Sequence, residues 1–108
     1  MTSILLALML AASPDISAAI GATIVSTHPD GRQARLRLKA DHSYSAVGRK
    51  GQRSGGSWTL KAGKLCLSQK APYPGPFPVC KPIPAVEAGE TWKDTAFNGD
   101  KVTNRIVR

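Results

Sequence analysis

The fold is constrained most by a succession of short β-forming runs that are separated by turn residues. After Gly21, no stretch of the chain keeps an apolar period of 3.6 residues over the length of a helix. Residues 33–39 alternate strictly in polarity instead. One face of this run consists of Ala34, Leu36 and Leu38, and the other of Arg35, Arg37 and Lys39. The alternation predicts a half-buried antiparallel strand with a cationic outer face.

Similar runs recur along the rest of the chain. They cover residues 22–28, 42–47, 57–61, 64–68, 79–81, 90–97 and 101–107. Turn residues separate them at Pro29-Asp30-Gly31, Ala40-Asp41 and Ala62-Gly63, and Asn98-Gly99 is a strong two-residue hairpin signal. Residues 48–56 are expected to be a basic, glycine-rich hairpin connection. The sequence therefore predicts an all-β protein, a small antiparallel meander or barrel of seven to eight short strands. We expect the last strand to pair with the first and thereby hide both sheet edges.

The first nineteen residues differ from the rest of the chain. Ile4 to Ala12 form an apolar run of nine residues. As a helix this run spans about 14 Å, well short of a hydrocarbon core of about 30 Å, so no transmembrane span is expected. It is typical of a signal peptide, and Ser17-Ala18-Ala19 suits cleavage before Ile20, although a cut after Ala12 is an alternative. We expect an N-terminal signal helix over 1–19, a single β-domain over 20–108, and a periplasmic or secreted protein. The alternative is an N-terminal helix that packs on the domain.

The only two cysteines are Cys66 and Cys80. In a small exported domain an even pair predicts one disulfide, which would close a loop of about 15 residues and contribute about 3 kcal/mol to stability. In a cytosolic protein the same residues would be two buried thiols.

Six of the eight prolines lie within residues 71–84. Because proline cannot donate a hydrogen bond to a sheet, this stretch is expected to be an extended crossing or an edge. Tyr73 and Phe77 lie between the prolines, which favours a loop that folds back over the open end of the barrel. Docking of a partner on this loop is the alternative.

Residues 54–67, together with Cys80, resemble a pattern found in small exported bacterial proteins of uncharacterised function. In that pattern a Gly-x-Trp strand, here Gly56-Ser57-Trp58, precedes a Gly-Lys-Leu-Cys strand, here residues 63–66. A second cysteine follows a dozen or so residues later. The resemblance implies a signal peptide and a compact, lipocalin-like β-fold, and it implies no activity.

The sequence offers no residues for catalysis, cofactor binding or metal binding. Its only histidines, His28 and His42, are far apart and belong to no His/Cys/Asp/Glu cluster with metal-ligand spacing. The two cysteines lack the C-x-x-C spacing of a redox motif. We therefore expect a protein that is not an enzyme and needs no cofactor.

Charge is the one feature that indicates a partner. The net charge is +8, and residues 32–64 carry nine basic side chains against one acid, Asp41. The expected anion-binding patch consists of Arg35, Arg37, Lys39, Arg49, Lys50 and Arg53. In an exported protein this patch would bind an anionic envelope component, namely a lipid headgroup, lipopolysaccharide or an acidic protein. A cytosolic nucleic-acid-binding module that uses residues 32–64 is the alternative function. A solvated face that only keeps the protein soluble is the third interpretation.

Overall fold

A computed structural model describes residues 18–83, 89–96 and 98–108 of the chain. This part contains eight β-strands and no helix. The strands are β1 (Thr23–Thr27), β2 (Gln33–Leu38), β3 (Ser43–Val47), β4 (Arg53–Lys61), β5 (Lys64–Ala71), β6 (Val79–Pro82), β7 (Thr91–Thr95) and β8 (Lys101–Val107). The predicted all-β fold is confirmed. Most of the predicted signal helix, residues 1–17, lies outside the described residues.

All eight strands form one antiparallel sheet in the order β6-β5-β4-β3-β2-β1-β8-β7. The sheet curls into a half-barrel. The last strand does pair with the first, since Thr23 lies opposite Val107. The expectation that this pairing hides both edges is wrong, however, because β7 continues the sheet beyond β8 and β6 ends it on the other side. Side chains connect these two edges: Lys81 Nζ on β6 lies 3.4 Å from Asp94 Oδ1 on β7 and also donates to the Thr95 carbonyl.

Four of the hairpin turns share one geometry. In each, the first residue donates its N–H to the carbonyl of the fifth, and the fourth residue donates its N–H back to the carbonyl of the first. The fourth residue has a positive φ in all four turns: Gly31 (85°), His42 (69°), Gly51 (85°) and Gly99 (88°). Such turns pair a type I turn with a left-handed residue that completes the hairpin.

This turn geometry corrects two sequence-based boundaries. The basic connection is only residues 48–52, and strand β4 already begins at Arg53. The hairpin between β7 and β8 exists, but Asn98-Gly99 is not a two-residue turn. The strands end at Thr95 and begin again at Lys101, so residues 96–100 connect them.

The core fills one end of the half-barrel. Its buried cluster consists of Ala19, Ala22, Ile24, Leu38, Tyr44, Trp58, Leu65 and Ile106. Burial raises the pKa of the Tyr44 phenol, and the Trp58 indole N–H donates to the Lys39 carbonyl over 2.9 Å. Ala19 is completely buried, and the carbonyl of Ala18 accepts a hydrogen bond of 2.8 Å from Arg108. These two residues of the predicted leader are thus part of the packed domain.

The predicted disulfide between Cys66 and Cys80 is confirmed. The two residues lie directly opposite each other on β5 and β6. Between them, the proline-rich loop folds back on β5, because the Gly75 N–H donates to the Gln69 carbonyl over 3.0 Å. The side chains of Tyr73 and Phe77 are 67% and 73% exposed, so they point largely to solvent.

Candidate functional site: the cationic outer face

Strand register sorts the basic side chains into rows on the outer face of the sheet. One row runs across five neighbouring strands, β8, β1, β2, β3 and β4, and consists of Arg105, Val25, Arg35, Val47 and Arg53. An arginine therefore occurs on every second strand. Because neighbouring strands lie about 4.8 Å apart, the successive arginines are about 10 Å apart at their backbones.

Arg37 adds a fourth guanidinium to this surface. It lies two residues beyond Arg35 on β2, about 7 Å away on the same side of the sheet. The side chains of all four arginines are exposed, whereas Val25 between two of them is only 6% exposed. Such burial of an outward valine is expected where the methylene stems of long side chains lie across it. We call Arg35, Arg37, Arg53 and Arg105 the arginine face.

The three remaining residues of the predicted patch lie in turns rather than on strands. Lys39 and Lys50 are exposed in the turns that follow β2 and β3. Arg49 does not point to the outer face. It lines the interior cavity, its side chain is only 25% exposed, and its Nη1 lies 3.4 Å from Asp30 Oδ2. The structure thus brings Arg35, Arg37 and Arg53 together on the outer face and directs Arg49 away from it.

Arg105 belongs to the arginine face but was absent from the predicted patch. It is remote in sequence from the basic segment 32–64, and its own strand alternates only weakly in polarity. The pairing of β8 with β1 is what places it two strands from Arg35. The sequence predicted that the last strand pairs with the first, but not the register that sets Arg105 opposite Val25.

The arginine face has no compensating negative charge within the described part of the chain. The ion pairs in this part of the chain join Asp30 to Arg32 and Arg49, and Asp94 to Lys81, while Asp100 is hydrogen-bonded to His28. Of the four arginines, only Arg35 contacts a neighbouring polar side chain among those described, and that partner is the uncharged amide of Gln33. The positive charge of this surface is therefore available to an external anion.

Both histidines have structural partners. His28 is only 8% exposed, and its Nδ1 lies 2.9 Å from Asp100 Oδ2. This hydrogen bond, together with one from the Asn98 amide, lowers the pKa of Asp100. The ring of His42 stacks on Trp58 with centroids 4.2 Å apart. Among the described residues, no group of three His, Cys, Asp or Glu side chains could hold a metal ion.

The concave side of the sheet encloses a second candidate site, a cavity of about 470 Å³. Its walls are mostly apolar, and polar side chains lie near the turns at the end opposite the packed core. Ser26 is one of these polar residues, but its hydroxyl donates to Asn104 Oδ1.

Among the described residues there is no helix with the length and apolar character needed to cross a membrane. The chain matches no protein-family model, no curated protein and no solved structure. The geometry of the arginine face and of the cavity is accordingly the basis for assigning a function.

Proposed function

We propose that this protein is an exported binding protein whose arginine face engages the anionic headgroups of a lipid surface. The observation that carries the proposal is the array of four exposed arginines on one side of the sheet, with no carboxylate partner among the described residues. Guanidinium groups bind phosphate oxygens through two parallel hydrogen bonds. Near an anionic membrane surface each basic side chain contributes about 1 kcal/mol of attraction.

The exposed aromatic side chains of the proline-rich loop do not extend the arginine face. Tyr73 and Phe77 line a second cavity together with Tyr44, Ala46 and Ser54, whose side chains point to the concave side of the sheet. The arginines point to the opposite side. The lipid proposal therefore rests on the arginine face alone.

A nucleic-acid partner is less well supported by the same surface. Proteins that bind single strands usually stack bases on exposed aromatic rings. The two aromatic residues of the basic segment, Tyr44 and Trp58, are 6% and 3% exposed and belong to the core. The row of the arginine face carries valines between its arginines instead.

Export is part of the proposal and is supported by the disulfide, because such bonds persist mainly in oxidising compartments. We expect intact mass, measured after expression in a secreting host, to show loss of the leader and of two hydrogens. The same measurement locates the cut: cleavage before Ile20 removes Ala19 from the core, whereas an earlier cut keeps it. A full-length product with two free thiols would contradict export.

The lipid proposal is tested by co-sedimentation with vesicles of phosphatidylglycerol and phosphatidylcholine, compared with phosphatidylcholine alone. We expect binding only to the anionic vesicles, and weaker binding as salt screens the charges. The double variant R35E/R37E should lose at least tenfold in affinity, because each reversal replaces an attraction by a repulsion. The matched control K61E/K64E changes the net charge equally at the exposed β4–β5 turn and should retain most of the binding.

Two results would contradict the lipid proposal. Equal losses in both variants, with circular dichroism spectra like that of the wild type, would mean that net charge alone drives binding. Binding to a single-stranded oligonucleotide near physiological salt, without binding to vesicles, would identify a nucleic-acid-binding module instead.

A further inference from the structure

We propose that the cavity in the half-barrel binds an uncharged small molecule with an apolar body and a hydroxyl head. This site is separate from the arginine face, because it is formed by inward-pointing side chains and the arginines point outward. Its volume of about 470 Å³ falls within the range of about 300–1,000 Å³ that is usual for small-molecule sites.

The cavity exists because large and small residues are distributed unequally along the inner face. At the filled end, Leu38, Tyr44 and Trp58 pack together. Toward the other end, the inward positions hold small residues, among them Ala34, Gly48 and Ala96. The sheet therefore closes over a space that its own side chains do not fill.

The walls of this space favour an apolar ligand. They include Ile24, Leu36, Leu65, Leu67, Trp92 and Val102. Several of these residues, such as Leu36, Leu67 and Trp92, are only half-buried, although they point inward. Covering apolar surface of this kind contributes about 25 cal/mol per Å² to binding.

His28 provides a hydrogen-bonding group for the head of the ligand. Its side chain lines the cavity and is more than nine-tenths buried. Since the Asp100 carboxylate can only accept, the Nδ1 that contacts it carries a proton, and in the uncharged form of the ring Nε2 is then an acceptor. Nε2 has no partner among the described residues, and a ligand hydroxyl is the matching donor.

The charges at the cavity argue against an ionic ligand. The Arg49 guanidinium is paired with Asp30, and the Lys81 ammonium with Asp94. His28 in turn is held by Asp100. A buried carboxylate or ammonium needs a partner of opposite charge, and these partners are already taken within the protein.

The proposal is tested with octan-1-ol, which we expect to displace the uncharged fluorescent probe N-phenyl-1-naphthylamine and to shift the emission of Trp92. Octanoate and octylamine should bind at least tenfold more weakly, because their charges would be buried without a partner. The assay contains no vesicles, so its outcome is independent of the lipid proposal.

Two cavity variants locate the binding. Ala34→Phe on β2 and Ala96→Leu in the turn between β7 and β8 fill the space from different sides, and each should abolish displacement by octanol. The matched control Gln33→Phe places the same new ring on the outer side of β2 and should leave the affinity unchanged. Unchanged octanol binding in folded A34F and A96L would overturn the site.

The role of His28 is tested by comparing octanol with octyl methyl ether, which lacks a donor. The wild type should prefer octanol by about tenfold, which corresponds to one net hydrogen bond. His28→Leu should bring the two affinities together. Equal wild-type affinities for octanol and the ether, or equal binding of octanoate, would overturn the assignment of a hydroxyl head.

Discussion

His42 occupies a backbone position that glycine holds in the three other turns of the same geometry. Its φ of 69° lies in the left-handed region, where a Cβ costs about 1–2 kcal/mol. Stacking on Trp58 and the contact of 3.2 Å between Nδ1 and the Trp58 carbonyl offset this cost. The contacts with Trp58 therefore stabilise histidine in a conformation that otherwise favours glycine.

Two substitutions at His42 separate the backbone cost from the ring contacts. Both His42→Ala and His42→Gly lose the stacking, but only alanine keeps a Cβ in the left-handed conformation. We expect H42G to be more stable than H42A by about 1 kcal/mol, measured by urea unfolding. Equal stabilities would show that the turn relaxes to another backbone conformation when the ring is absent.

Asp100 gives the stability of the protein a dependence on acid pH. Its pKa lies below the ordinary value, chiefly because His28 donates a hydrogen bond to the carboxylate. A lowered folded-state pKa stabilises the protein above the unfolded-state pKa of about 4, and this contribution is lost as pH falls through the folded-state pKa.

The substitution Asp100→Asn removes this contribution. We expect the urea midpoint of D100N to fall less steeply than that of the wild type between about pH 4 and pH 2. Asp41 is a useful comparison, because hydrogen bonds from the Ser43 side chain and backbone lower its pKa as well. D41N should remove only its own part of the pH dependence. A wild-type slope in D100N would show that the His28 contact does not stabilise the ionised form.

At the residue scale, the sequence predicted side-chain facing well and long-range partners poorly. The alternation in 33–39 placed Leu38 inward and Arg37 outward, and both placements are confirmed. The sequence could not show that His28 is buried against Asp100, because the two residues meet only after β8 pairs with β1. The polarity pattern of a strand shows which of its side chains point inward, but it does not show which residues from distant parts of the sequence they will contact.

At the level of elements, Gly56 decides how closely β4 approaches β5. A Cβ at this position would lie 1.9 Å from the Ser68 carbonyl oxygen and 3.0 Å from the Tyr44 ring. The register also shifts here, between Gly55 and Gly56. The backbone oxygen cannot move without separating the two strands.

Gly56→Ala is therefore expected to destabilise the protein by about 3 kcal/mol or more, since overpacking against backbone lies at the upper end of such costs. The control Gly75→Ala adds the same methyl group where the nearest atom would be 3.5 Å away, and it should change stability by less than about 0.5 kcal/mol. Urea unfolding measures both. Similar stabilities for G56A and G75A would contradict the close approach of the two strands.

The same glycines explain why the start of β4 could not be predicted. Residues 53–56 read Arg-Ser-Gly-Gly, which contains no β-branched or aromatic residue. They form a strand because β3 pairs with all four of them and β5 pairs with the two glycines. The strands rich in β-branched residues, such as β1 and β8, were recognisable from their composition alone.

For the whole molecule, strand order creates both candidate sites. The meander from β1 to β6 places Arg35 and Arg53 on one outer surface, and the pairing of β8 with β1 adds Arg105. The same pairing brings β7 opposite β6 and closes the cavity between Lys81 and Asp94. The sequence correctly predicted that the first and last strands pair. It wrongly predicted that this pairing leaves no sheet edge, because β7 pairs on the other side of β8 and forms an edge there, as β6 does at the opposite end.

The disulfide is expected to affect ligand binding in the cavity and not the binding of anions by the arginine face. Strand β6 contributes Val79 and Lys81 to the cavity wall, and only β5 pairs with it in the sheet. The arginines of the arginine face lie on β2, β4 and β8, none of which is next to β6 in the sheet. Loss of the Cys66–Cys80 bond should cost about 3 kcal/mol of stability and leave β6 held by few backbone hydrogen bonds.

We therefore expect the variant C66A/C80A to bind N-phenyl-1-naphthylamine at least tenfold more weakly, because the cavity loses one wall. Its affinity for anionic vesicles should stay within about twofold of the wild type, since the arginines keep their register. The reduced wild-type protein should behave in the same way. If vesicle binding fell as far as probe binding while the circular dichroism spectrum was retained, the two surfaces would be coupled through the sheet. If both affinities were unchanged, β6 would hold its place without the bond, and the side-chain contacts of Lys81 with β7 would be sufficient to close the cavity.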